Sequence, residues 1–386
     1  MYFPGMVIIS VAQENDDFHL VFPDRPGYTG FDIKEGGKRM AVKKVPFGAT
    51  SGGQPVDKYI LTCGNMEAEI ITFGAAVAAL RVPDQNGKPV DVVLGYRSVA
   101  GYEHNGGYIG ALVGRYANRI AGASCLIDGK RVALEPSEGT KQLHGGVKGF
   151  SYRVFSAEIT GDSQVTLTYT AADGEGGFPG ELTLKATYTL TENALRLRYE
   201  AESDKTTYCN ITNHSYFNLN GGGDAMGHRL WLAAHHYTPV WEDSIPLCMA
   251  ENVAQTPFDF TIEKPVGRDI GADCVQLRNT GGYDHNFVLD GAQGLRLAAR
   301  LTGEHSGIVM ETWTEKPGVQ LYAANFLETD DQTKTGVPYG ARQAVCLETQ
   351  FFPDSPNHPE WGDILLRPGK RYDYTTEYRF SVRQEG

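Results

Sequence analysis

The clearest signal in the chain is an alternation of apolar and polar residues with a period of two. Across Glu181–Leu190, Leu182, Leu184, Ala186, Tyr188 and Leu190 fall on one side, and Thr183, Lys185, Thr187 and Thr189 on the other. Across Leu195–Ala201, Leu195, Leu197 and Tyr199 alternate with Arg196, Arg198 and Glu200. Successive side chains of a strand point to opposite faces, so this period predicts two strands with one buried face each. Thr191–Ala194 supplies the turn between them. A second hairpin is predicted to join Val154–Thr160 to Val165–Thr170 through Gly161–Ser163. Earlier in the chain, Tyr59–Leu61, Ala68–Thr72, Val77–Val82 and Val90–Leu94 are short β-rich runs separated by Gly, Asn and Asp. Helical periodicity over a dozen residues is absent. With 46 Gly and 19 Pro as punctuation, the pattern predicts an all-β fold of many short antiparallel strands, a large sandwich or barrel.

The first 39 residues break this pattern. Gln13–Asp17, Pro23–Gly27 and Glu35–Arg39 are rich in turn formers and carry little periodicity. Lys34–Arg39 can be written in purine-rich codons and resembles a translated ribosome-binding region, so Met40 is expected to be the natural start and 1–39 an N-terminal extension. A genuine surface arm is the alternative. No linker or composition break follows residue 50, which predicts one domain over 40–386.

Composition narrows the partners. At 41% hydrophobic and 21% charged, the chain buries a sizeable core. Its formal net charge of −12, without a Lys/Arg cluster, argues against nucleic acid. No apolar run reaches the roughly 18 residues of a membrane span. Met1–Ala12 is apolar, but it lacks a positive n-region and contains Pro4 and Gly5, so a cytoplasmic rather than secreted protein is expected. The six cysteines have neither CxxC nor metal-like spacing, which predicts reduced thiols and no metal centre. A monomer or homodimer is expected.

Dinucleotide, P-loop, zincin and GxSxG motifs are all missing. Polar clusters at strand ends remain. In Gly114–Ile120, Asn118 and Arg119 suit sugar hydroxyls or a developing oxyanion, although a solvated edge strand explains the same residues. In Leu143–Gly146, His144 precedes two glycines that let backbone approach a ligand. His214 stands among Asn213, Ser215, Tyr216 and Asn218, a pattern that fits an oriented imidazole or a core network. Asp284 and His285 follow Gly282 in a loop, and Gln320 lies on a strand. Glu348 follows apolar residues on an inner strand, where a carboxylate is costly unless paired or catalytic. His235 and His236 point to opposite faces and are not a ligand pair.

Taken in order, these clusters resemble the aldose 1-epimerase (galactose mutarotase) family. The resemblance rests on GRYANRI at 114–120, LHGG at 143–146, TNHSYFNLNG at 212–221, YDHNF at 283–287, GVQLY at 318–322 and ETQFFPDSPN at 348–357, and it runs from about residue 45 to the C-terminus. It implies a large antiparallel β-sandwich that interconverts α- and β-anomers of free aldoses such as galactose and glucose, without metal or cofactor. It also implies Glu348 as general base and His214 as general acid. His144 and Arg119 match sugar-binding residues that stabilise charge near the ring oxygen, and Asn118, Asp284 and Gln320 match further hydroxyl ligands. Asn213, Ser215 and Tyr216 are then expected to orient the His214 imidazole. The chain departs from relatives at Val147–Tyr152, at Phe155 and at Ile245–Met249, which leaves sugar preference open. Competing readings are a hexose-6-phosphate 1-epimerase of the same fold, a non-catalytic sugar-binding protein, and a glycosidase with Asp284 as its second carboxylate.

Overall fold

The alternating stretch at 181–203 folds as the hairpin that its period predicts. Leu182–Leu190 pairs antiparallel with Ala194–Ser203, ending at Leu190 opposite Leu195, and Thr191 N donates to Ala194 O at 2.8 Å to close the turn. Leu182, Leu184, Ala186, Tyr188 and Leu190 are fully buried while Lys185 is exposed. Each large apolar side chain so buried contributes about 1.5–3 kcal/mol before entropy is counted. The second predicted hairpin forms as Ser156–Gly161 against Gln164–Ala171. A computed structural model describes residues 40–104 and 106–383, and in the first 39 residues only the backbone of a ladder between Gln13–Glu14 and Asp17–Phe18. The expectation of an N-terminal extension otherwise lies outside the described residues.

Three antiparallel sheets dominate the described residues. The largest has nine strands, in the order Ser156–Gly161, Gln164–Ala171, Leu182–Leu190, Ala194–Ser203, Tyr372–Val382, Ile308–Thr314, Arg296–Thr302, Arg229–Leu232 and Lys264–Pro265. The last long strand of the chain, Tyr372–Val382, is thus inserted between 194–203 and 308–314. A five-stranded meander runs through Met40–Ala49, Pro55–Cys63, Met66–Ile71, Val77–Pro83 and Pro89–Asp91. It begins earlier than residue 57, where the apolar pattern sets in, because Met40–Ala49 is an edge strand with little buried surface to pattern. The third sheet orders Glu251–Asn252, His236–Tyr237, Asp284–Val288, Gly318–Tyr322 and Cys346–Gln350. Helix is confined, among the described residues, to the five-residue segments Val99–Glu103 and Val275–Asn279 and a few single 3₁₀ turns.

The largest of three hydrophobic clusters among the described residues runs between the sheets. It joins Leu61 and Ile70 of the meander to Leu184, Tyr188, Leu197 and Tyr378 of the nine-stranded sheet, and to Phe287, Val319 and Leu347 of the third. The Tyr188 hydroxyl donates to Ala75 O at 2.6 Å, so the polar end of this buried ring is satisfied by the turn between Met66–Ile71 and Val77–Pro83 of the meander. The fold is therefore an antiparallel β-sandwich. No helix among the described residues is long and apolar enough to cross a membrane.

Candidate active site

The third sheet sets one wall of the site through its register. Gln320 lies opposite both Asn286 and Glu348, and Tyr322 opposite Asp284 and Cys346. Directly paired residues share a face and residues two apart share it as well. Asp284, Asn286, Gln320, Glu348 and Gln350 therefore point one way. His285, Phe287, Val319, Leu321 and Leu347 point the other way, where the four apolar residues join the core. Asp284 opens the strand rather than sitting in a loop. Hydrogen bonds knit the polar face: Gln320 Nε2 donates to Asp284 Oδ1 at 2.7 Å, and Gln350 Nε2 donates to Gln320 Oε1 at 3.0 Å and Asn286 Oδ1 at 3.2 Å. Asn286 Nδ2 donates in turn to Thr238 Oγ1 at 3.0 Å. Gly318 makes room for this ladder, since a Cβ there stands 2.4 Å from Asn286 Oδ1.

His214 comes from the opposite wall. Thr212–Asn213 pairs with Leu112–Val113, and His214 continues the ladder by donating its N–H to Ala111 O at 2.8 Å and accepting from Gly110 N at 2.9 Å. Its ring stacks on Tyr216 at 5.0 Å between centroids and on Tyr108 at 6.1 Å, with Tyr322 at its edge. Nε2 stands 3.6 Å from Glu348 Oε1. His214 Nδ1 and Glu348 Oε2 have no hydrogen-bond partner among the described residues, although both side chains are buried. Of the three neighbours expected to orient the imidazole, only Tyr216 touches it. Asn213 donates to Gly110 O at 2.9 Å and its Oδ1 accepts from Ser215, so these two hold the backbone turn instead.

The third wall carries Asn118, Arg119 and His144. Arg119–Ile120 pairs with Gln142–Leu143, which brings His144 beside Asn118: His144 N donates to Asn118 O, and Asn118 N donates to His144 Nδ1, both at 3.1 Å. Asn118 and His144 both adopt positive φ, 65° and 52°, to make this reciprocal turn. Asn118 Oδ1 accepts from Arg119 N at 2.8 Å, which commits the carbonyl side of that amide. The glycines after His144 serve protein contacts. A Cβ on Gly145 lies 2.0 Å from Gly114 O, so this backbone approaches Gly114 rather than a ligand. The Arg119 guanidinium is chelated by Glu138 and has Nη1 3.9 Å from Asp284 Oδ2. Arg115, its apparent twin four residues earlier, is buried elsewhere and donates to the carbonyls of Pro179 and Gly180.

Burial governs the charges. It pushes the Glu348 carboxyl well above its usual range, helped by the neighbouring Asp284 charge; the opposing pull of Arg119 does not outweigh it. Burial also raises Asp284 and lowers His144, and it takes His214 down to about 4. Burial thus disfavours the charged form of each partner, favouring a protonated Glu348 carboxyl and an uncharged His214 imidazole. His144, His214 and Glu348 each bring a donor atom within 4.8 Å of the others, a grouping open to a metal ion. His144 argues against that use: its Nδ1 accepts a backbone N–H, so the neutral ring carries its proton on Nε2 and offers a hydrogen-bond donor rather than a lone pair.

The seven residues that the sequence marks for acid–base work or sugar binding, Asn118, Arg119, His144, His214, Asp284, Gln320 and Glu348, thus form one connected cluster. Sequence reasoning missed Tyr108, Tyr322, Asn286, Gln350 and Glu138. Asn286 and Gln350 were detectable, because each stands two residues from Asp284 or Glu348 on a strand. Nothing local marks Tyr108 or Glu138.

Comparison with known proteins follows the same lines. The aldose 1-epimerase family profile matches residues 57–379. The chain is 40% identical to galactose mutarotase of Rattus norvegicus over 346 residues, 89% of this chain and 99% of that protein. It is 39% identical to aldose 1-epimerase of Escherichia coli K12 over 336 residues, 85% and 96% of the two chains. Among solved structures, galactose 1-epimerase from Lactobacillus acidophilus superposes with a TM-score of 0.79 at 28% identity, covering 89% of this chain and all of that one.

Proposed function

This chain belongs to the aldose 1-epimerase family, and we propose that it interconverts the α- and β-anomers of a free aldohexose such as galactose or glucose between His214 and Glu348. Opening a cyclic hemiacetal requires one group to take the proton of the anomeric hydroxyl and another to protonate the ring oxygen. Both oxygens are bonded to one carbon, so two groups 3.6 Å apart reach them together. That distance, with both side chains buried and each keeping an unpartnered polar atom, is the observation that carries the reading.

Glu348 acts as base and His214 as acid. This assignment uses the ionised form of the pair, which burial disfavours at both groups. Sugar hydroxyls donating to Glu348 Oε2, and the nearby Arg119 charge, supply the stabilisation that burial removes. After rotation about C1–C2 the groups exchange roles and close the ring on the other face of the aldehyde. His144, through Nε2, and Arg119 donate near the ring oxygen. Asn118, Asp284 and Gln320 hold outer hydroxyls, with Gln320 also bracing Asp284. A site with two carboxylates, Glu348 buried and Asp284 partly so, and a guanidinium already chelated by Glu138, suits an uncharged sugar better than a phosphorylated one. The same acid–base pair favours catalysis over simple binding. Six scattered cysteines without CxxC spacing, four of them buried, fit a reducing compartment such as the cytoplasm.

Polarimetry tests the proposal. The chain should accelerate mutarotation of pure α-D-galactose and α-D-glucose. Glu348→Gln and His214→Asn should each lower kcat by at least about a hundredfold, the contribution of one positioned acid or base. Near-parental rates in either variant would show that the roles are misassigned.

A further inference from the structure

Arg119 is gripped from outside the site as well as from within. Its Nε and Nη2 donate to the two carboxylate oxygens of Glu138 at 2.7 and 3.0 Å, a fork that fixes the plane of the guanidinium as well as its position. Nη1 is left facing Asp284 Oδ2 at 3.9 Å. Against the burial that pushes it up, Arg119, aided by Lys141, holds the Glu138 carboxyl below its usual value, so the fork is ionic.

Glu138 is built in. Its N–H donates to Lys141 O and Lys141 N donates to Glu138 O, both at 3.0 Å, across a turn in which Gly139 has φ +60°. Lys141 Nζ stands 3.4 Å from Glu138 Oε2 and donates to Asp243 O, tying the turn to a second loop. At the other end of Arg119, Asp354 N donates to Arg119 O at 2.8 Å and Asp354 Oδ1 accepts from Ala121 N at 2.9 Å. The backbone and the head of this side chain are therefore fixed independently.

From this geometry we infer that Glu138 is a positioning residue for the reaction: it keeps the Arg119 guanidinium out of hydrogen-bond reach of Asp284, at 3.9 Å, and so leaves Nη1 for the sugar. The inference rests on the reading of Arg119 as a sugar contact. Without Glu138, the partners left to the guanidinium are the two carboxylates of the site. Pairing there removes donors from the substrate and changes the charge felt by the acid–base pair.

Glu138→Gln in the full chain keeps the shape and one acceptor but loses the charge and the second acceptor. The side chain is about a third exposed, so the fold should tolerate the change. We expect an unchanged Tm and a kcat for galactose lower by roughly tenfold or more, since an active-site group misplaced by about 1 Å costs up to about a hundredfold. The charged and titratable groups facing Glu138 are Arg119 and Lys141, with Asp284 and Tyr108 behind. Removing the negative charge should move the limbs of the kcat/KM pH profile to lower pH, whereas Glu138→Asp should keep them in place. A parental kcat and profile in Glu138→Gln, alongside an impaired Arg119→Lys, would overturn the role of Glu138 alone. A parental Arg119→Lys would overturn both this role and the reading of Arg119.

Discussion

At the residue scale the site runs on burial. A tenfold change in a group's proton affinity corresponds to about 1.4 kcal/mol of differential interaction between its protonation states. Glu348 is held above its ordinary range by its surroundings, so its ionisation works against the folded state. In the unfolded chain a Glu titrates near about 4.3. The native state binds this proton more tightly; the stability that results is present below the unfolded value and is lost as pH rises through the folded one. Gln cannot ionise, and Glu348 Oε2 has no partner among the described residues to lose. Glu348→Gln should therefore be more stable than the parent, by a margin that widens as pH rises above about 4.3, where the unfolded carboxyl gives up its proton before the folded one does. Thermal unfolding across that range measures it, and a margin that narrows as pH rises would show that the carboxyl is not raised. The residue given up for stability is the one proposed as catalytic base.

At the element scale the site depends on strand register. Asp284–Val288, Gly318–Tyr322 and Cys346–Gln350 align Asn286, Gln320 and Glu348 in a row, and slipping any one strand by a single residue turns its polar set into the core. Gly318 is the tightest point of this alignment. Gly318→Ala puts a methyl 2.4 Å from Asn286 Oδ1 and 3.1 Å from two carbons of the Phe352 ring. We expect a loss of about 1–3 kcal/mol, the range for overpacking a close contact, together with a raised KM for galactose as the bonds bracing Gln320 and Asp284 loosen. Urea unfolding and initial-rate polarimetry read the two effects separately.

At the scale of the whole molecule, the site is assembled from segments spread between Asn118 and Glu348. The strand Met40–Ala49 pairs along its length with Pro55–Cys63 and closes that edge of the meander. A chain begun at Met40 should thus retain its kcat and its Tm; loss of either would assign a role to the first 39 residues. Much of this was legible in advance. The period of two at 181–203 fixes which side chains enter the core, because alternation is a property of a single strand and needs no partner. The ordered motifs marked all seven residues proposed to act on the sugar. Arg119 was singled out over Arg115 of the same seven-residue motif, but the reason for the difference is tertiary: packing on Phe178 and the 179–180 carbonyls draws Arg115 inward. The sequence held no sign of Glu138 or Tyr108, whose roles arise from contacts between distant segments. Local pattern sets which face of a strand is buried; the distance from His214 to Glu348, and the protonation that burial imposes on them, exist only once the sheets have closed around both.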